Sequence, residues 1–299
     1  MRRIAICSFI ISLIAISCGS PKEKGQDHKN SVTVSVLPQK YFVEKIAGDH
    51  FNVNVMIPPG ASPVTYEPTP KQMKDLSDSE VYIRIGHIEF EKSWMKKLKN
   101  VNPEMEIIDQ SKVAELIEPE GENNHNHDHH HDGHHHHGVD PHIWTSPKEV
   151  KKQAEFIYQF FIKNYPESES EFTSNYNAFQ SELDSLDQYL LETLKPFKNK
   201  KFLIFHPALS YIARDYGLKQ ISIEIDGKEP TPSNIQEIIG VARNENIKVV
   251  FVQSQFSTHN AEVIAKEIQG QVVQIDPLAY NWNQNIKKIA DQIAKSYSK

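Results

Sequence analysis

The chain has 299 residues, a formal charge of −6 and 24% charged residues. That balance gives no electrostatic case for nucleic acid, and the charged fraction is ordinary for a soluble globular body. The two cysteines, Cys7 and Cys18, both fall near the N-terminus. Beyond them there is no thiol, so disulfides and cysteine-held zinc are excluded from the body of the protein.

Arg2 and Arg3 precede an apolar run over residues 4–16, too short to span a membrane as a helix. The following Ala15-Ile16-Ser17-Cys18-Gly19-Ser20 resembles a bacterial lipoprotein cleavage site, with Ala15 where Leu is more usual. Residues 1–18 are read as a lipoprotein signal peptide with Cys18 the lipidated residue; ordinary signal cleavage is the alternative. Removal of this leader leaves about 280 residues, enough for two α/β domains. Residues 19–31 are polar, carry Pro and Gly, and read as a tether.

Strands are predicted over 32–37, 52–57, 81–85 and 106–108, with helices over 38–47, 69–78 and 90–99 between them. Thr69-Pro70 supplies an N-cap and a first-turn proline. Ser146-Pro147 opens a further helix to about residue 163. Between 168 and 194, Phe172, Tyr176, Phe179, Leu183, Leu186, Leu190 and Leu194 recur at spacings of 4, 3, 4, 3, 4 and 4, a helical stripe. A helix of that length is roughly 40 Å long, about a domain diameter, and it reads as a connection between two lobes. Strands follow over 201–205, 221–225, 248–252 and 272–275. Helices are read over 208–216 (closed by Gly217), 233–244 (Ser233 as N-cap), 260–269 (stopped by Gly270) and 284–297. Strands alternating with helices imply α/β lobes whose parallel sheets are covered on both faces. The expected organisation is an N-terminal lobe over 32–167, a linking helix over 168–195 and a C-terminal lobe over 196–299.

The most unusual stretch runs from 122 to 147 and has two parts. Nine histidines, His125, His127, His129, His130, His131, His134, His135, His136 and His137, are interleaved with Asp, Asn and Gly. Imidazole is the commonest protein metal ligand, and such a tract cannot pack a core. Residues 122–138 therefore read as a solvated loop that collects metal weakly. The second part, Asp140-Pro141-His142-Ile143-Trp144, is short and bounded by prolines. In open parallel sheets, ligands bind beyond the carboxyl ends of the strands. His87, His206 and Asp276 stand at such ends, and His142 stands in the proline-flanked loop. Together they suggest a metal site between two lobes, although each alone is also compatible with a hydrogen-bonding role in the structure.

These residues resemble a family, the zinc-type substrate-binding proteins of bacterial metal ABC transporters (the cluster A-I, or TroA-like, group). The likeness covers essentially all of residues 31–299. It is carried by Pro59-Gly60-Ala61-Ser62-Pro63 with Thr65-Tyr66-Glu67-Pro68-Thr69-Pro70, and by Asp140-Pro141-His142-Ile143-Trp144-Thr145-Ser146-Pro147. Phe205-His206-Pro207-Ala208, Tyr216-Gly217-Leu218 and Ile275-Asp276-Pro277-Leu278 complete it. The resemblance implies two (β/α) lobes joined by a long rigid helix, with the metal in the cleft between them. It also implies His142, His206 and Asp276 as ligands, with His206 matching the zinc rather than the manganese branch. The family usually has a histidine where this chain has Val64, which cannot ligate. His87, at a strand end of the same lobe, is the candidate replacement; water, Glu67 and a loop histidine are its competitors.

The expected function is capture of Zn2+ as cargo and its delivery to an ABC permease by a monomer anchored through lipid at the cell envelope, facing the periplasm or exterior. No enzymatic activity is expected. The alternatives are a manganese or other divalent-metal binder of the same type, a metal-buffering surface adhesin, and a zinc-dependent hydrolase. The last fits a site of three ligands plus water, but there is no HExxH stretch.

Overall fold

The computed structural model describes residues 30–118, 138–224 and 228–298. The expected signal peptide, Cys18, nearly all of the tether and the nine histidines from His125 to His137 lie outside the described residues.

The first lobe contains β1 (Asn30–Val34), α1 (Leu37–Ala47), β2 (Phe51–Val55), α2 (Pro70–Ser77), β3 (Ser79–Arg84), α3 (Glu89–Val101), β4 (Glu106–Asp109) and α4 (Pro147–Asn164). After α5 (Glu169–Leu194), the second contains β5 (Lys201–Ile204), α6 (Ser210–Tyr216), β6 (Lys219–Ser222), α7 (Pro232–Asn244), β7 (Val249–Gln253), α8 (His259–Glu267), β8 (Gln271–Ile275) and α9 (Trp282–Ser296). Each lobe has a four-stranded sheet, in the orders β2-β1-β3-β4 and β6-β5-β7-β8. Every pairing is parallel. Strand β7, buried along its whole length, has the continuous apolar composition of a strand covered on both faces.

Helix α5 has 26 residues and so is about 39 Å long. Its stripe of Phe172, Phe179, Leu183, Leu186, Leu190 and Leu194 is buried. The helix packs on α1 and α4 of the first lobe and on α9 of the second. One apolar cluster runs from the first sheet along this stripe to Trp282, Ile286 and Ile293. A smaller one fills the space between β5, β7, α7 and α8. The two lobes thus share a core rather than only a hinge.

Several boundaries differ from the sequence reading, for identifiable reasons. Strand β1 stops at Val34, because the Ser35 and Val36 amides donate to the buried Gln39 side chain at 2.9 and 3.1 Å instead of to a neighbouring strand. Helix α7 is capped by Thr231, not Ser233: Thr231 Oγ1 accepts from the Asn234 amide at 3.3 Å, and Pro232 takes the first turn. This repeats the Thr69-Pro70 start of α2. Strand β6 begins at Lys219 and ends at Ser222, ahead of the expected 221–225, because Gly217 (φ 73°) closes α6 and the chain pairs at once with β5. Among the described residues, no helix is long and apolar enough to cross a membrane.

Candidate metal site between the lobes

His142 lies in the loop that enters α4, at the start of a single 3-10 turn, Ile143–Thr145. Asp140 Oδ1 accepts both its backbone N–H at 2.9 Å and its ring Nδ1 at 2.8 Å, so the ring direction is fixed two residues away. Burial alone would raise the Asp140 carboxyl. The facing His142 ring and the hydrogen bonds from His142 and Ser210 outweigh it and hold the group below the usual carboxylate range.

The loop itself is tied to both lobes. The Asp140 amide donates to the Ile117 carbonyl at 2.9 Å, and the Tyr211 hydroxyl of α6 donates to the Asp140 carbonyl at 2.7 Å. Trp144, 1% exposed, donates Nε1–H to the Pro277 carbonyl at 3.0 Å. Its own carbonyl accepts from Trp282 Nε1 at 2.7 Å. Arg214 of α6 reaches the buried Glu149 of α4 at 2.6 Å and the Glu115 carbonyl at 2.6 Å. The loop carrying His142 is thereby bonded to the loop carrying Asp276.

His206 lies two residues beyond β5. Its amide donates to Gln253 Oε1 at 3.3 Å, and its carbonyl accepts from Gln253 Nε2. Phe256 stacks on the ring at 4.9 Å with planes 19° apart. Nδ1 faces Glu224 Oε2 at 2.9 Å.

The two rings meet across the lobes, with Nε2 to Nε2 at 3.2 Å. A carboxylate accepts hydrogen bonds, so each Nδ1 that faces one carries the proton. In the neutral rings this leaves the two Nε2 lone pairs, 3.2 Å apart, free to bind a cation between them. Two imidazole nitrogens on a tetrahedral zinc, each about 2.0–2.1 Å from the ion, stand about 3.3–3.4 Å apart. The observed separation is close to that edge.

The other two predicted ligands are placed differently. Asp276 directly follows β8, and its Oδ1 accepts from Gln255 Nε2 at 2.8 Å and from the Leu278 amide at 3.1 Å. His87 follows β3 and is partly buried. Among the described residues, no group of three or more His, Cys, Asp or Glu side chains has metal-binding proximity. The structure therefore brings His142 and His206 together and leaves Asp276 and His87 outside that contact. Val64 is 47% exposed. Its neighbour Pro63 accepts from the Phe90 amide at 3.0 Å, so the Val64 turn and the segment after His87 lie side by side.

The entry to His87 is built around a residue absent from the sequence reading. Glu91 is 1% exposed, and its two oxygens accept from the Ile85 and Gly86 amides, each at 2.7 Å. Gly86 has φ +123°, and a Cβ there would strike Ser111 and Asp109, so only glycine turns the chain at this point. Glu224 and Gln253 are likewise absent from the sequence reading, and Asp140 enters it only as part of the Asp140–Trp144 stretch, without its role as the partner of His142. Asp140 alone had a visible signal, as an acidic residue two positions before a loop histidine.

The sequence and fold match known proteins throughout. The family model "Zinc-uptake complex component A periplasmic" (ZnuA) matches residues 32–296. The high-affinity zinc uptake system protein ZnuA of Bacillus subtilis (strain 168) is 30% identical over 264 residues, 86% of this chain and 82% of that protein. The zinc-binding lipoprotein AdcA of Streptococcus pneumoniae (strain ATCC BAA-255 / R6) is 29% identical over 288 residues. That match takes in 93% of this chain but 56% of AdcA, so the chain spans little more than half of that relative. A crystal structure of ZnuA superposes with a TM-score of 0.81 at 40% identity, covering 89% of this chain and 98% of the other. With two parallel-sheet lobes, a long connecting helix and a model match over 32–296, the chain belongs to the periplasmic zinc-uptake component A (ZnuA) family.

Proposed function

We propose that this protein captures Zn2+ in the cleft between its lobes and delivers it to an ABC permease. The observation that carries this reading is the His142–His206 pair, one ring from each lobe, each with Nδ1 on a carboxylate and Nε2 turned to the other at 3.2 Å. Family membership supports zinc as the cargo and an extracytoplasmic place of work. Zinc is four-coordinate in most protein sites and accepts His and Asp together. In this reading His142, His206 and Asp276 are ligands. His87 supplies the fourth position that Val64 leaves open, favoured by the Phe90–Pro63 bond that brings the segment after His87 to the Val64 turn.

The histidines from His125 to His137 act as a weak collector that raises the zinc concentration near the cleft. The chain works as a monomer and is held at the envelope through lipid on Cys18; the lipoprotein AdcA supports the anchor. A Cys18→Ala variant would then leave the membrane fraction. The protein is a carrier and not an enzyme, so it should give no turnover of model esters or phosphoesters. The test of function is zinc uptake in cells lacking the gene. Uptake at low external zinc should fall, and should return with the wild-type gene but not with a His142→Ala/His206→Ala version. Full uptake in the deletion, or full rescue by the double variant, would refute the reading.

A further inference from the structure

We infer that Glu224 is a positioning residue for zinc capture: by accepting the Nδ1 proton of His206, it fixes that ring's tautomer and aims its Nε2 lone pair into the cleft. The inference rests on His206 being a ligand. Glu224 is 8% exposed, and its Oε2 is 2.9 Å from His206 Nδ1. Its backbone is fastened over the end of β5. The Glu224 amide donates to the Phe205 carbonyl at 2.9 Å, and the Ile223 amide to the Ile204 carbonyl at 2.9 Å. The carboxylate is thereby delivered beside the residue that follows Phe205.

The neighbouring Phe205 and Ile223 are buried and apolar, surroundings in which a carboxyl group is costly unless hydrogen-bonded. Among the described residues, the side-chain bond that Glu224 makes is to His206. Packing alone would be served as well by an apolar residue, so the carboxylate points to a task at the ring.

That task is visible in what else holds His206. Gln253 clamps the backbone on both its N–H and its C=O, and Phe256 stacks on the ring. These contacts still allow the two nitrogens to exchange roles. A half-turn of the ring would put a C–H where Nδ1–H now donates, and the other neutral tautomer would aim a proton at the cleft. Glu224 disfavours both. Asp140 does the equivalent for His142 from two residues away. Glu224 does it from 18 residues away, as a tertiary device that depends on the strand β6 crossover. An acceptor behind a ligating imidazole fixes its tautomer and orientation, and loss of such a partner typically weakens metal binding about 10–100-fold.

The experiment measures zinc affinity of the full chain against a competing chelator that holds free zinc too low to fill isolated imidazoles. The variants are Glu224→Ala, Glu224→Gln, Glu224→Asp, His206→Ala and Glu224→Ala/His206→Ala. Glu224→Ala should bind zinc about 10–100-fold more weakly. Glu224→Gln keeps an acceptor at the same reach and should stay within about threefold of wild type. Glu224→Asp keeps the charge but is one methylene short, and should resemble the alanine variant. In the His206→Ala background, Glu224→Ala should add nothing. Imidazole 15N spectra of metal-free protein should show His206 protonated at Nδ1 in wild type and Glu224→Gln, and should lose that signature in Glu224→Asp. Weak binding by His206→Ala with wild-type binding by Glu224→Ala would overturn the role of Glu224 and leave the ligand reading intact. Wild-type binding by His206→Ala would overturn the ligand reading itself. Equal weakening by Glu224→Ala in both backgrounds, or retention in Asp with loss in Gln, would also overturn the inference.

Discussion

Replacing Trp144 by Phe tests whether the bond between the two ligand-bearing loops matters to the site. Trp144 is 1% exposed and joins the loop of His142 to that of Asp276 through the 3.0 Å bond to Pro277. Phenylalanine keeps most of the ring packing but has no N–H, so the Pro277 carbonyl loses that donor. A buried acceptor without a partner costs about 1–3 kcal/mol. The missing ring volume of roughly 40 Å3, at about 24 cal/mol per Å3, adds about 1 kcal/mol. The variant should therefore lose about 2–4 kcal/mol of stability, seen as a lower urea midpoint with an unchanged slope. If the bond tightens when zinc closes the two loops, a net value of about 0.5–1.5 kcal/mol predicts roughly 2- to 10-fold weaker zinc binding. Chelator competition on the folded variant measures this. A loss below about 0.5 kcal/mol, the range of a neutral surface change, together with wild-type affinity, would refute the reasoning.

Two further predictions concern the first lobe. His87→Ala should weaken zinc binding at least about tenfold, the scale set by loss of even a supporting partner. Val64→His, at a position exposed enough to take a larger side chain, should restore much of it. Unchanged affinity in His87→Ala would end the case for His87 as a ligand. Glu91→Gln should destabilise the fold by about 1–3 kcal/mol at neutral pH, because one of two amides now faces an NH2 group. Burial raises the Glu91 carboxyl above its ordinary 4.5, against the pull of its hydrogen bonds from Ser35, Gly86 and Ile85. The sign follows from linkage. A raised folded-state value favours the protonated native form, so this contribution is full below the unfolded value and is lost as pH rises through the folded one. Wild type should therefore gain stability relative to Glu91→Gln on acidification. Parallel unfolding curves of the two proteins across pH would contradict it.

Much of this was legible from local pattern. The stripe from Phe172 to Leu194 needed only helical periodicity, and β7 needed only an uninterrupted apolar run. Thr69-Pro70 marked a helix start by capping chemistry that the structure repeats at Thr231-Pro232. At that second start Ser233 also resembles a cap, so the sequence offers two N-cap candidates and the structure selects Thr231. The site was less legible because its contacts are long-range. His142 and His206 are 64 residues apart and on different lobes, so no period or spacing joins them. Glu224 was hidden by a strand boundary. With β6 read as 221–225 it sat inside a strand, whereas in the structure the strand ends at Ser222 and the chain bends over β5. Glu91 read as an ordinary charge in the first turn of a helix, and its burial against the β3 exit follows from how α3 docks.

The most direct test is a zinc titration against a competing chelator, on the protein without its leader and without residues 122–138. Removal of the histidine tract takes away the weak sites and leaves the cleft as the place for tight binding. The account predicts one tight zinc per chain, lost in His142→Ala and in His206→Ala, with fewer weakly bound ions than in the full chain. Absence of a tight site would contradict it, and would mean that the paired histidines without an imidazole at position 64 do not hold zinc.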